Sequence, residues 1–284
     1  MARWFQKSRR APGIGPEELE NYDVPSFPAA IHEVLQLIRA EESSNADIAL
    51  GLASDPGMTV RLLQLVNSAG FGLRQAVADV GQAVQLIGRS SLESVLITAA
   101  VRETLPGKSR HGFDASAFWR LSAQRAAIAG ALASTVCPAR RSICWTAGLL
   151  QDLAIPLLVE HKGLEYCSVL EAWREGHETL AELERDAIGV DHTEVALKIC
   201  RQWEFPEALT IAISQHHEPE GEGEQLPERV VARLRPSAEG GSVEPGGIPD
   251  LYAATESCEI DSETASGGVA QGLEEAGPLV DMLS

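Results

Sequence analysis

The sequence is poor in positive charge, in aromatics and in paired cysteines, and each shortage excludes something. Its 284 residues carry 23 Lys and Arg against 41 Asp and Glu, a net charge of −18 with a pI near 4.8. Such a balance argues against binding to a phosphate backbone, so no nucleic acid is expected as a partner. Aromatics make up 5% of the chain. Its five cysteines, Cys137, Cys144, Cys167, Cys200 and Cys258, form no C-x-x-C pair. That spacing suits free thiols in a reducing compartment and does not gather the ligands of a structural zinc site. No uninterrupted apolar run reaches the 18 residues of a spanning helix, and the first ten residues have a charged start without the apolar core of a leader peptide, so a cytoplasmic location is expected. There is no Gly-rich phosphate loop, no cyclase-like signature and no β-hairpin turn between β-branched runs.

What is present divides the chain in three. Residues 1–22 begin with four bases (Arg3, Lys7, Arg9, Arg10) and then turn to Pro and Gly, as a solvated arm would. Residues 23–218 form the body. Residues 219–284 are acidic and hold ten of the 25 glycines counted from residue 221; from 218 onward 15 acids stand against 3 bases. The tail is expected to bury little apolar surface, to contain one or two marginal helices after residue 249 with scope to pack back on the body, and to be dispensable for folding of the body.

The body reads as helix throughout. Ile31, Val34, Leu35 and Ile38 mark one stripe of a 3.6-residue period. Asp55-Pro56 and Asp79 are helix starts, Gly88 is a stop, and Ser90-Ser91 opens a further helix. Residues 114–136 predict one long helix ending at Cys137-Pro138, Arg141 to about Leu153 a buried one, and Asp191–Trp203 and Phe205–His217 the last two. The expected fold is all-α, two packed helical lobes, with the break near residues 104–114 where Pro106-Gly107 and His111-Gly112 cluster.

Two places among the seven histidines stand out. His192 lies at a helix start after Asp191, and His216-His217 closes the following helix. Asp152 follows the apolar run Ala147-Gly148-Leu149-Leu150-Gln151, and a carboxylate there needs a metal, a cation or backbone donors as partner. Asp152, His192 and one of His216 or His217 are candidate ligands of a water-activating metal, or else residues that bond across helix ends. Neighbours on a helix point about 100° apart, so only one of His216 and His217 is expected to face a site.

In order along the chain, several stretches resemble the HDOD domain, a non-catalytic relative of the HD and HD-GYP metal-dependent phosphohydrolases. They include Val24-Pro25-Ser26-Phe27-Pro28, Asp55-Pro56, Leu62 to Ala69 and Ala83 to Gly88. They continue with Phe118-Trp119, Ala147 to Asp152, Gly189 to Ala196, Trp203 to Pro206 and His216-His217. The resemblance implies an HD-like helical fold and a bacterial signal-transduction role through protein or ligand binding. It places Leu121 and Gln151 where active HD enzymes carry imidazoles, leaving a vestigial pocket of Leu121, Gln151, Asp152, His192, His216 and His217. No cofactor and no metal are then expected, with at most three donors remaining. The partner implied is a signalling protein acting in trans, such as a receiver or cyclic di-GMP-turnover protein. The rival expectations are a residual metal-dependent phosphohydrolase and a metal-free nucleotide sensor.

Overall fold

A computed structural model describes residues 22–68, 76–174, 179–217 and 260–283. The basic arm, the linker from 218 and the segment 249–259 lie outside these. The described residues contain no strand, only an isolated bridge between Arg110 and Phe113. The chain order is α1 (Ala29–Arg39), α2 (Asn45–Ala53), α3 (Pro56–Ser68) and α4 (Val80–Thr104), then α5 (Ala115–Val136) and, after a short 3-10 turn, α6 (Arg141–Leu150). It continues with α7 (Ala154–Lys162), α8 (Leu164–Arg174), α9 (Leu180–Ile188), α10 (His192–Gln202), α11 (Glu207–Ser214) and α12 (Ser262–Leu283).

The helix starts follow local chemistry. Ser44, Thr179 and Asp191 each close a capping box, with Asp47, Glu182 and Glu194 returning a bond to the cap backbone. Asp79 and Asp114 cap α4 and α5 through backbone N–H groups. Gly88 (φ 73°) breaks α4 at the expected stop, and Gly189 (φ 83°) ends α9 in the left-handed region. The turn at 110–113, with His111 and Gly112 at positive φ, separates α1–α4 from α5 onward. One apolar core runs through both halves, from Val24 and Ile31 through Leu96 and Trp119 to Ile199 and Ile213. The segments Val80–Thr104 and Pro138–Lys162 are long and apolar enough on average to cross a membrane, but 89% of the apolar window of the second is buried inside the fold.

Two features depart from the sequence reading. Ala154–Lys162 is a helix of its own; the run Ala154 to Val159 is buried on every side and so shows no helical period. The larger correction concerns the tail. Its last 22 described residues form α12, which lies along α5 and buries Ala265, Val269, Ala276, Leu279 and Leu283. Two of its four glycines, Gly268 and Gly272, serve that packing. A Cβ on Gly272 would stand 2.5 Å from the Ile128 Cα, so only glycine allows the two backbones this approach. Arg102 fixes the far end, donating at 3.0 and 3.2 Å to the Leu283 carbonyl and lying 5.0 Å over the Trp119 ring.

Candidate functional site

Five elements deliver one polar cluster into the core, the fifth being the end of α11. α10 begins with His192, fully buried, its backbone held by the capping box at Asp191. The turn between α6 and α7 carries Gln151 and Asp152. α9 contributes Glu184 and α5 contributes Arg125, both buried.

The end of α11 corrects the expectation that only one of two neighbouring histidines faces the site. The helix stops at Ser214, and Gln215 (φ −115°, ψ 17°) leaves the helical path. His216 and His217 therefore sit on a turn, where the 100° rule does not apply. His192 Nε2 is 3.3 Å from His216 Nε2 and 2.9 Å from His217 Nε2. Asp152 Oδ1 lies 3.4 Å from His216 Nε2 and 3.6 Å from His192 Nε2. The ligand nitrogens of the three imidazoles converge within 4.8 Å of one another, and Asp152 Oδ1 lies against two of them.

Their orientation is imposed from behind. His192 Nδ1–H donates to Glu184 Oε2 at 2.6 Å, and the His192 backbone N–H donates to the same oxygen at 2.9 Å. The other Glu184 oxygen accepts from the Tyr166 hydroxyl. His216 Nδ1–H donates to the Ile213 carbonyl at 2.7 Å. Both imidazoles thus turn Nε2 inward, the arrangement that orients a metal-binding histidine. Nitrogens this close need a hydrogen or a metal ion between them, and the neutral Nε2–H tautomer of His217 can donate to His192 Nε2. Burial opposes charge on His192, but Glu184, Asp152 and Asp191 outweigh it and raise its pKa. Burial, with His216 and His192 beside it, pushes His217 down to about 2. His217 is exposed as a residue, yet its Nε2 is the part turned inward.

The cation in the cluster is Arg125. Its Nη1 ion-pairs with Asp152 Oδ2, so Asp152 offers one oxygen to the histidines and one to the guanidinium. Burial alone would raise the Asp152 pKa; Arg125, His216 and His192 reverse this and hold it well below the usual carboxylate range.

The structure also relocates Leu121. It is buried with Ile128, Leu132, Ala265 and Val269 in the cluster beneath α12, and the α5 side chain that reaches Asp152 is Arg125, one turn later. Gln151 is buried beside Asp152, and neither amide atom has a hydrogen-bond partner among the described residues.

The donor set can be tested against the metal that HD relatives imply. A tetrahedral ion with bonds of about 2.0–2.1 Å has ligand-to-ligand edges of roughly 3.3 Å. The three imidazole nitrogens lie within 4.8 Å of one another, and the His192 edges of 2.9 and 3.3 Å fit the spacing of a zinc-type ion. His192, His216 and His217 would hold it, with Asp152 Oδ1 beside His192 and His216. Such an ion would tie α10 to the end of α11.

With this geometry in place, the comparisons with known proteins are informative. The HDOD domain profile matches residues 24–219. An uncharacterized protein of Treponema pallidum is 24% identical over 196 residues, 69% of this chain but only 38% of that protein's length. An HDOD domain protein of unknown function from Geobacter sulfurreducens superposes with a TM-score of 0.67 at 20% identity, covering 94% of this chain and 96% of that one. A provisionally named signal transduction protein from Marinobacter aquaeolei gives 0.66 at 19%, covering 98% and 62%. A provisionally named phosphohydrolase from Shewanella amazonensis gives 0.64 at 22%, covering 94% and 91%. At these identities the likeness concerns the fold.

Proposed function

From the premise that this chain belongs to the HDOD domain family, which its residues 24–219 match, we propose that it is a non-catalytic signal-transduction module. It acts by binding a signalling protein in trans, in the cytoplasm of a bacterium. The observation that carries the reading is the buried Arg125–Asp152 ion pair. Water activation requires an ion with an open coordination position and a carboxylate free to serve it. Here one Asp152 oxygen is held by Arg125 and the other is enclosed by imidazoles. With both oxygens engaged, Asp152 is not free to serve a nucleophile, which supports a scaffold role for the cluster, tying helices together.

A groove elsewhere on the molecule supports the binding reading. A groove of 660 Å³ between α2, α3 and the start of α4 is lined mostly by apolar side chains, including Ala46, Ala49, Leu50, Ala53, Leu63 and Val80. Leu50 is 71% exposed there. Exposed apolar patches on a strongly charged protein mark contact sites. Receiver and cyclic di-GMP-turnover proteins are the partners to screen first.

The test is turnover of a generic phosphodiester and of cyclic di-GMP by the full chain, with and without added Zn²⁺ or Mn²⁺. No turnover above background is expected under any of these conditions. Hydrolysis that is lost in Asp152→Asn would overturn the proposal in favour of a residual phosphohydrolase. Saturable binding of a nucleotide without turnover would favour the sensor.

A further inference from the structure

α5 brings a fixed positive charge to the very carboxylate that a metal at this cluster would use. Arg125 is 3% exposed and Asp152 7%, so the pair is shielded from water and held in place by the fold. Three carboxylates lie at the cluster. Asp191 is met at the rim by Arg185, Glu184 is engaged by His192 and Tyr166, and Asp152 is met inside by Arg125. With neutral imidazoles, three negative charges thus face two guanidinium ions. A divalent ion would leave the buried cluster one charge positive. Without Arg125 the same ion would leave it neutral. Charge in a low-dielectric interior decides such occupancy, because an uncompensated buried charge is expensive. The donors suit an ion in spacing; the guanidinium opposes it in charge.

We propose that Arg125 is a resident cation that stands in for a divalent ion at the Asp152–histidine cluster and keeps its metal affinity low. The inference rests on the non-catalytic reading only in treating Asp152 as already committed, and the experiment separates the two. Zinc binding by the full chain is measured by equilibrium dialysis for the wild type, Arg125→Met and Arg125→Lys, with far-ultraviolet circular dichroism as the check on folding. Co²⁺ is added in parallel, since a four-coordinate cobalt ion gives strong visible absorption. Arg125→Met is expected to bind one zinc at least 100-fold more tightly than wild type and to show the cobalt bands. Arg125→Lys, which keeps the charge, is expected to stay within tenfold of wild type. Equal affinity in wild type and Arg125→Met, lost from both in His192→Ala, would overturn the proposal. Should Arg125→Met not fold even with zinc, the wild type decides alone: one zinc per chain retained through dialysis against a weak chelator would overturn the proposal, and loss of the metal would support it. Zinc retained without turnover counts against the resident cation and leaves the non-catalytic reading intact. Turnover by the wild type would overturn the non-catalytic reading, whereas turnover confined to zinc-loaded Arg125→Met supports the resident cation and leaves that reading standing.

Discussion

At the scale of single residues, Asp152, His192, His216 and His217 were legible because each breaks the pattern around it. Arg125 obeys the same logic: it is the only charged residue between Leu121 and Ala139, in an Ala-rich run. A lone cation in an apolar helix requires a buried partner just as Asp152 does. The resemblance instead directed attention to Leu121, one turn away and facing α12. Glu184 carried no such signal, since it lies among Glu182, Arg185 and Asp186 on a polar-looking helix. Two substitutions test the cluster. Asp152→Ala strands the Arg125 guanidinium in the core and should cost about 3–5 kcal/mol by chemical denaturation. The paired replacement Asp152→Leu with Arg125→Met should recover much of that loss, because it removes both charges. Gln151→Leu removes two buried amide atoms that lack partners among the described residues. It should be neutral or stabilising by about 1 kcal/mol, whereas a loss of 2 kcal/mol or more would reveal an amide partner.

At the scale of elements, periods and caps located most helices, and they failed where burial is uniform or where glycine serves packing. α7 has no polar face to set a period. In α12 the glycines read as disorder, although Gly268 and Gly272 are the residues that let the helix close on Leu132 and Ile128. That distinction can be measured within one helix. Gly272→Ala drives a methyl group against the α5 backbone and should destabilise by about 1–3 kcal/mol. Gly267→Ala meets nothing within 4 Å and should stabilise by about 0.5–1 kcal/mol. Equal effects at the two positions would refute the close approach. The capping boxes supply a pH dependence. Hydrogen bonds from Ser44 and Thr179 lower the pKa values of Asp47 and Glu182 below their ordinary 3.8 and 4.5. A depressed folded pKa adds stability above the unfolded value and loses it as pH falls through the folded one. Below about pH 4.5, Asp47→Asn and Glu182→Gln should therefore each show a shallower fall of melting temperature with pH than wild type.

At the scale of the whole molecule, the charge distribution suggested a body and a detachable acidic tail, and here composition misled. The −12 balance from residue 218 onward is a property of the sequence average, whereas packing depends on which residues line one face. On α12 that face is Ala265, Gly268, Val269, Gly272, Ala276 and Leu279, small or apolar at helical spacing, with the acids Glu263, Glu274 and Asp281 turned to solvent. Ending the chain at residue 217 would uncover Leu121, Ile128, Leu132 and the Cys144 thiol, all buried in the cluster that α12 closes. The packing contributed by Ile260, Val269, Leu279 and Leu283 would go with the deleted segment, roughly 1.5–3 kcal/mol each before the entropy cost of ordering that segment is subtracted. The net is several kcal/mol, a large share of the ordinary stability of a domain. The truncated chain should melt at least 10 °C lower, bind a hydrophobic dye, and react rapidly with a disulfide reagent at Cys144, located by peptide mapping because the truncation also removes Cys258. A truncated chain that melts within a few degrees of the full one, with Cys144 still protected, would show that α5 is covered without α12. Because Ile128 and Leu132 follow Arg125 on the same stripe of α5, the same truncation should also loosen the Arg125–Asp152 pair. Zinc affinity that rises on truncation would be the signature of that link along α5.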